Sequence, residues 1–199
     1  MLVGLGTGDT AARAIRMLGE KKVRVQCVAT SERSAILARE VGLTVRTPDE
    51  VPALDLTIDG ADEIDGQLRL LKGGGGAHTR EKLVARASKQ LIVVADAQKR
   101  VRRLGERMRL PVEILPFGSA WTMARLRGLG VDPQLRGEGK VHSDNGNLLC
   151  DCAFPSTLEL RDLAARLKAL PGVVEHGLFL DEASIAYVGT ATGVDRLTR

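Results

Sequence analysis

Asp59, Asp62, Lys72 and Glu81 are the residues of this chain best equipped for chemistry, and they fall within one short segment. Asp59-Gly60-Ala61-Asp62-Glu63 supplies carboxylates, Lys72 an ammonium, and Gly73-Gly74-Gly75-Gly76 a flexible run of backbone N–H donors. Two nearby carboxylates raise each other's proton affinity, and an ammonium lowers it. Such a set suits proton transfer on a small anionic substrate. Four consecutive glycines are entropically costly. A loop whose N–H groups hold an oxyanion would justify that cost.

Each residue also has a plainer reading. Asp-Gly makes ordinary turns, although Asp59 and Asp62 follow a predicted strand, where open α/β sheets place their ligands. Glu81 falls in the first turn of a predicted helix, where acidic residues stabilise the N-terminus. The same dipole would keep Glu81 ionised, as a base must be. Lys99, beyond the strand ending at Asp96, either meets a phosphate or is solvated.

Gly6-Thr7-Gly8-Asp9-Thr10-Ala11 fits G-x-G-x-x-A between a strand and a helix. A dinucleotide site would want an acidic residue closing the second strand. Val28-Ala29-Thr30-Ser31 stands there instead, with Glu32 beyond it. A phosphate cradle is the favoured reading, beside a dinucleotide site or a plain tight turn. Gly8 permits close approach, the helix start offers unpaired N–H groups, and Thr7 and Thr10 offer hydroxyls. Asp9 is discordant, since a carboxylate repels a phosphate unless it points away.

The elements that must hold these groups follow from periodicity and punctuation. Strands are predicted at Leu2–Leu5, Val23–Ala29, Leu43–Arg46, Asp55–Ile58, Leu68–Leu71 and Leu91–Ala95. Helices are predicted at Thr10–Leu18, at Ser31–Val41 with Ser31 as N-cap, and at Thr79–Lys89. The order argues for a Rossmann-like, open, mostly parallel α/β sheet. Near Leu110 the pattern changes to β-α-β-β-α-β, with strands at 111–116, 134–137, 148–153 and 173–178 and helices at 119–129 and 157–170. That order suggests an inserted, smaller α+β unit of the split βαβ, ferredoxin-like kind. A last strand, Ser184–Val188, is expected to rejoin the first sheet. The expected domains are therefore 1–109 with 180–199, and 110–179.

Composition narrows the classes. The 199 residues are 44% hydrophobic but only 3% aromatic, so the core must be aliphatic. The net charge of +4 is spread without a basic block, and aromatics for base stacking are scarce. No nucleic-acid partner is expected, and a mild positive balance suits an anionic metabolite. Cys27, Cys150 and Cys152 give no disulfide framework and fit a reducing, cytoplasmic setting. Cys150 and Cys152 share one strand face, either as small buried hydrophobes or in a metal or redox role. His78, His142 and His176 lack partners at ligand spacing, and no Gly-x-Ser-x-Gly elbow exists. The start carries no signal-peptide pattern, and no apolar run is long enough for a membrane span.

The ordered set of motifs is more specific than any member of it. Gly4-Leu5-Gly6-Thr7-Gly8, Thr30-Ser31 with Ser34, Asp59 to Glu63, Lys72 to Ala77, Arg80-Glu81-Lys82, Asp96 with Lys99 and Pro111-Val112-Glu113 occur in one order. This resembles the type A ribose-5-phosphate isomerase family, and the likeness runs on through Gly146-Asn147 to Gly177-Leu178-Phe179. The resemblance implies interconversion of D-ribose 5-phosphate and D-ribulose 5-phosphate without metal or other cofactor, in a homodimer or homotetramer. It implies Glu81 as the proton-transferring base and Asp59, Asp62 and Lys72 as the other catalytic groups. Substrate binding would fall to Thr7, Gly8, Asp9, Thr10, Gly60, Ala61, Gly73, Gly74, Gly75 and Lys99. Two features depart from the family. Ser is usual where Asp9 stands, and members usually carry a helix before the first strand, where this chain begins. A sugar-phosphate sensor of the same fold, without turnover, and a nicotinamide oxidoreductase are the competing readings.

Overall fold

Leu2–Leu5 (β1), Gln26–Ala29 (β2) and Thr44–Val45 (β3) form a parallel set linked by Asp9–Glu20 (α1) and Glu32–Glu40 (α2). The computed structural model describes residues 1–199. Val3, Leu5, Ile15, Cys27, Ala38 and Leu43 are the apolar contacts that hold α1 and α2 to these strands. Ser31 caps α2 as expected, its Oγ accepting the Ser34 N–H at 3.1 Å. Val23 is exposed, so β2 is shorter than its alternation suggested.

The chain then returns to the other side of β1. Leu56–Asp59 (β4) pairs with β1, and Leu91–Asp96 (β7) pairs with β4, both parallel. Between them lie Glu63–Ile64 (β5), Leu70–Leu71 (β6) and the helix His78–Arg86 (α3). The strands before β4 extend the sheet one way and those after it the other way. The ends of β1 and β4 therefore flank the topological switch point, where ligands of such sheets bind.

Residues 110–176 build a second, antiparallel sheet. Leu110–Ile114 (β8), Ser119–Gly128 (α4), Asp132–Leu135 (β9), Leu148–Ala153 (β10), Leu160–Ala169 (α5) and Val173–His176 (β11) follow in the anticipated order. The strands lie as β11-β8-β10-β9, a split βαβ arrangement. Its core is aliphatic, with Leu110, Val112, Ile114, Leu126, Leu163 and Leu167 all deeply buried.

Leu178–Phe179 (β12) then pairs with β6 to complete a three-stranded sheet with β5. Ala183–Thr190 (β13) rejoins the first sheet beside β7, as expected, and Gly193–Thr198 (β14) closes the edge antiparallel. The main sheet runs β14-β13-β7-β4-β1-β2-β3. Sequence patterning missed β5, β12 and β14. Two-residue strands carry no period, and β14 buries none of its residues, so it shows no alternation.

Gly6 shows how tightly the ends of β1 and β4 meet. A methyl group there would lie 1.9 Å from Asp59 Oδ1 and 2.6 Å from the Asp59 Cα. The second contact is with backbone and cannot be relieved by a side-chain rotation. Gly6→Ala is expected to lose about 1–3 kcal/mol of stability. An unchanged urea midpoint would show that the two strand ends have room between them.

Candidate active site

The switch point places every element that the chemistry needs. β4 ends in Asp59, and the turn after it carries Gly60, Ala61 and Asp62. Lys72 directly follows β6, and its N–H bonds the Gly177 carbonyl at 2.9 Å. The loop Gly73–Gly76 then leads into α3, which turns Glu81 back toward the strand ends. Gly73 has φ +104°, and a Cβ there would strike the His78 ring at 2.7 Å. Only glycine serves at that position. Of these groups, Gly60, Ala61, Asp62, Lys72, Gly73, Gly75 and Glu81 border a cavity of about 440 Å³ in which Ala61 is the sole apolar side chain, while Asp59 lies behind Lys72 and does not line it.

At its floor, one ammonium sits between two carboxylates. Lys72 Nζ lies 3.0 Å from Asp59 Oδ2 and 3.5 Å from Glu81 Oε1. It also donates to the Gly60 carbonyl at 2.5 Å. Lys72, Asp59 and Glu81 are 2%, 1% and 4% exposed, so these charges interact with little screening. Burial works against the Lys72 ammonium, but Asp59 and Glu81 outweigh it and its pKa rises. Burial raises Asp59 too, opposed by Lys72 and by the N–H groups of Gly60 at 2.7 Å and Thr7 at 3.1 Å.

Glu81 is the less satisfied carboxylate. Its Oε2 is buried without a hydrogen-bond partner. Burial first, then the neighbouring Asp59, pushes its pKa up to about 8, against the pull of Lys72. The expectation that the helix dipole keeps Glu81 ionised is therefore corrected. Glu81 stands in the first turn of α3, but burial is the largest influence on it and outweighs the dipole. Burial raises both carboxyls, and Asp59 has the closer contact with the ammonium, 3.0 Å against 3.5 Å for Glu81.

The glycine loop also differs from expectation. The Gly74 N–H donates to Asp62 Oδ2 at 2.7 Å, and the Gly74 carbonyl accepts from Arg136 at 3.1 Å. Gly74 thus faces Asp62 rather than the cavity, and its amide is not free for an oxyanion. Gly73 and Gly75 line the cavity, and neither amide has an acceptor within the protein. Asp62 holds the loop as well as lining the cavity.

The start of α1 also borders the cavity, through Gly8, Asp9 and Thr10. The first helical bond runs from the Ala12 N–H to the Gly8 carbonyl, so the amides before it are unpaired within the helix. The Thr7 hydroxyl, expected to meet a phosphate, instead donates to Ser31 Oγ at 2.8 Å. Ser31 donates to Ser34 at 3.1 Å, and Ser34 to the Gly6 carbonyl at 2.7 Å, which fixes the loop from below. Asp9 turns outward, its side chain 90% exposed and 3.5 Å from Arg33. Lys99 lines the cavity without an ion pair. Asp96, named above only at a strand end and within the family-like pattern, also lines it, as do Arg13 and Arg33, which were not singled out from the sequence. Arg13 was legible in part, since it stands three residues after Thr10 on one helix face. Arg33 had no local signal.

The comparisons with known proteins agree with this geometry. The family model described as ribose 5-phosphate isomerase A (phosphoriboisomerase A) matches residues 26–193. The ribose-5-phosphate isomerase A of Thermomicrobium roseum is 50% identical, over all of this chain and 87% of its own length. That of Sinorhizobium fredii is 48% identical, over all of this chain and 90% of its own. The chain belongs to the ribose 5-phosphate isomerase A family. The solved ribose 5-phosphate isomerase A of Methanocaldococcus jannaschii superposes with a TM-score of 0.93 at 37% identity, over all of this chain and 91% of that one. A D-ribose-5-phosphate isomerase solved in complex with phospho-erythronic acid gives 0.95 at 38%, with the same coverage.

Other candidate groups fall outside the isomerase-family cavity. Cys150 and Cys152 are fully buried, with their sulfurs 3.8 Å apart and Cys150 3.4 Å from the Met123 sulfur, in an aliphatic core. They pack as small hydrophobes. No helix is long and apolar enough to cross a membrane.

The raised Glu81 carboxyl has a consequence for stability. The native protein holds this proton up to about pH 8, whereas the unfolded chain releases it near the ordinary value of 4.5. Between those values the unfolded state binds fewer protons, so this group's contribution to stability falls as pH rises. Glu81→Gln should therefore gain in melting temperature relative to the parent protein on going from pH 5 to pH 9. A difference that stays constant across that range would rule out a protonated Glu81.

Proposed function

We propose that the chain interconverts D-ribose 5-phosphate and D-ribulose 5-phosphate through a cis-enediolate, with Glu81 as the base. The observation that carries this reading is the Lys72 ammonium held between Asp59 and Glu81, with Glu81 Oε2 unpartnered at a polar cavity. The relative solved with phospho-erythronic acid supports it, because that ligand pairs a phosphate with a carboxylate at the far end of a short chain.

The roles follow from the geometry. The substrate phosphate is bound by the free amides at the start of α1, by Thr10, and by the cations Arg13 and Lys99. This places the carbonyl end of the opened sugar toward Lys72. Ionised Glu81 takes the proton from C2, and the electron pair moves to the C1 oxygen. Lys72 and the amides of Gly73 and Gly75 stabilise the developing negative oxygen. Glu81 returns the proton to C1 as the C2 hydroxyl becomes a carbonyl. Asp59 and Asp62 assist ring opening and move protons between the oxygens. A carboxylate with a pKa near neutrality both takes and returns a proton readily. No step calls for a cofactor.

The division into a catalytic unit, 1–109 with 180–199, and an inserted unit, 110–179, belongs to the same proposal. So do assembly as a homodimer or homotetramer and a cytoplasmic setting. A non-catalytic sensor would need the phosphate end of the cavity but not a buried, unpartnered carboxylate at the other.

A coupled assay of ribulose 5-phosphate formation tests the reading. Glu81→Gln should bind substrate yet turn over at least about a hundredfold more slowly, the usual weight of a general base. Lys72→Ala should lose about a hundredfold or more, as for an oxyanion donor. Since the base must lose its proton, kcat/KM of the parent enzyme should rise with pH and level off above about 8. Near-normal turnover by Glu81→Gln would remove Glu81 from the mechanism, and no turnover by the parent chain would favour the sensor.

A further inference from the structure

The sequence around Glu81 is anchored on both sides to the 110–179 unit. His78 Nε2 lies 3.3 Å from the Glu175 carbonyl. The Thr79 hydroxyl donates to Glu113 Oε2 at 2.5 Å. Arg80 donates to Asn145 Oδ1 at 2.8 Å and to the Asp144 carbonyl at 2.9 Å. Lys82 Nζ donates to Glu175 Oε1 at 2.8 Å and to the His176 carbonyl at 2.5 Å. Glu81 alone in this stretch makes no hydrogen bond to that unit, and it is the residue that lines the cavity.

The anchors at Glu113 and Glu175 are buried and are themselves braced. Glu113 is 0% exposed and accepts from Ser143 at 2.8 Å, Asn147 at 2.7 Å and Asn145 at 3.1 Å besides Thr79. Lys82 is 2% exposed and lies 4.9 Å from the Phe179 ring centre, with Lys72 5.5 Å from the same ring. Leaving one partner of such a buried pair alone is severely destabilising, so the contacts hold one geometry. The glycine loop is gripped likewise. Arg136 donates to the Gly73 and Gly74 carbonyls at 3.3 and 3.1 Å, while Asp151 holds its guanidinium at 2.5 and 2.9 Å.

We infer that the 110–179 unit is a positioning frame for the reaction, in which Glu113, through Thr79, sets the Glu81 carboxyl, and Arg136, through the Gly74 carbonyl of the same peptide plane, sets the Gly75 amide. The inference rests on the isomerase reading. Thr79, Glu113 and Arg136 do not line the cavity; they are positioning residues. A displacement of about 1 Å in a reacting group costs up to about a hundredfold in rate, which is the lever such a frame controls.

Thr79→Val cuts the link between Glu113 and α3 but leaves the other three donors to Glu113 in place. With ribose 5-phosphate as substrate, kcat should fall roughly tenfold while KM stays within about twofold. The pH at which kcat/KM levels off should also move, because the Glu81 surroundings shift. Thr79→Ser restores the hydroxyl and should recover most of the rate. Arg136→Met is the independent arm, with a similar loss in kcat expected, and circular dichroism confirms that each variant is folded. A purely structural role would lower the melting temperature and leave kcat per folded molecule and the pH profile unchanged. That result in both arms, or Thr79→Ser no faster than Thr79→Val, would overturn the inference. If one variant does not fold, the other decides. An inactive parent enzyme would instead bring down the isomerase reading itself, so the two failures are distinguishable.

Discussion

A single buried ammonium shared by two buried carboxylates is the constraint on which this structure turns. Lys72 sits 3.0 Å from Asp59 and 3.5 Å from Glu81. One positive charge cannot fully offset two negative ones where water is excluded. Both carboxyls are therefore raised, and the local hydrogen bonds set how well each is satisfied. Asp59 accepts two backbone N–H groups and the ammonium, whereas Glu81 has an oxygen with no partner. The imbalance is unfavourable for folding and useful for chemistry, because it leaves a proton on a group that can release it near neutral pH.

The architecture serves that constraint from three directions. Parallel strands on either side of the switch point bring Gly6 and Asp59 into contact. The small β5-β6-β12 sheet delivers Lys72 beneath Phe179. The antiparallel unit fastens α3 through Glu113 and Glu175. Each piece is rigid by virtue of contacts made elsewhere, so the cavity itself can stay polar and open to a ligand.

Much of the fold was legible because its signals are local. Short apolar runs marked β1 and β7, alternation marked β2, helical spacing marked α1, and Ser31 announced α2 as an N-cap. The order of elements foretold both the parallel sheet and the split βαβ unit. The principal site residues were legible as a cluster of types around an Asp-Gly turn and a glycine run. What local signals could not carry was partnership. Nothing near Thr7 says that its hydroxyl turns inward to Ser31. Nothing near Gly74 says that its amide belongs to Asp62. Arg33 reaches the cavity only because α2 lies beside α1.

The sequence by itself determined which chemical groups this protein has and which elements carry them, since residue type and spacing are local properties. The tertiary structure decided their protonation and their partners. The helix dipole argued for an ionised Glu81, and burial between Asp59 and Lys72 reversed that, raising it to about 8. Desolvation and charge coupling depend on how residues far apart in the chain enclose one another. That enclosure exists only once β1, β4, β6 and α3 have packed around the same small volume.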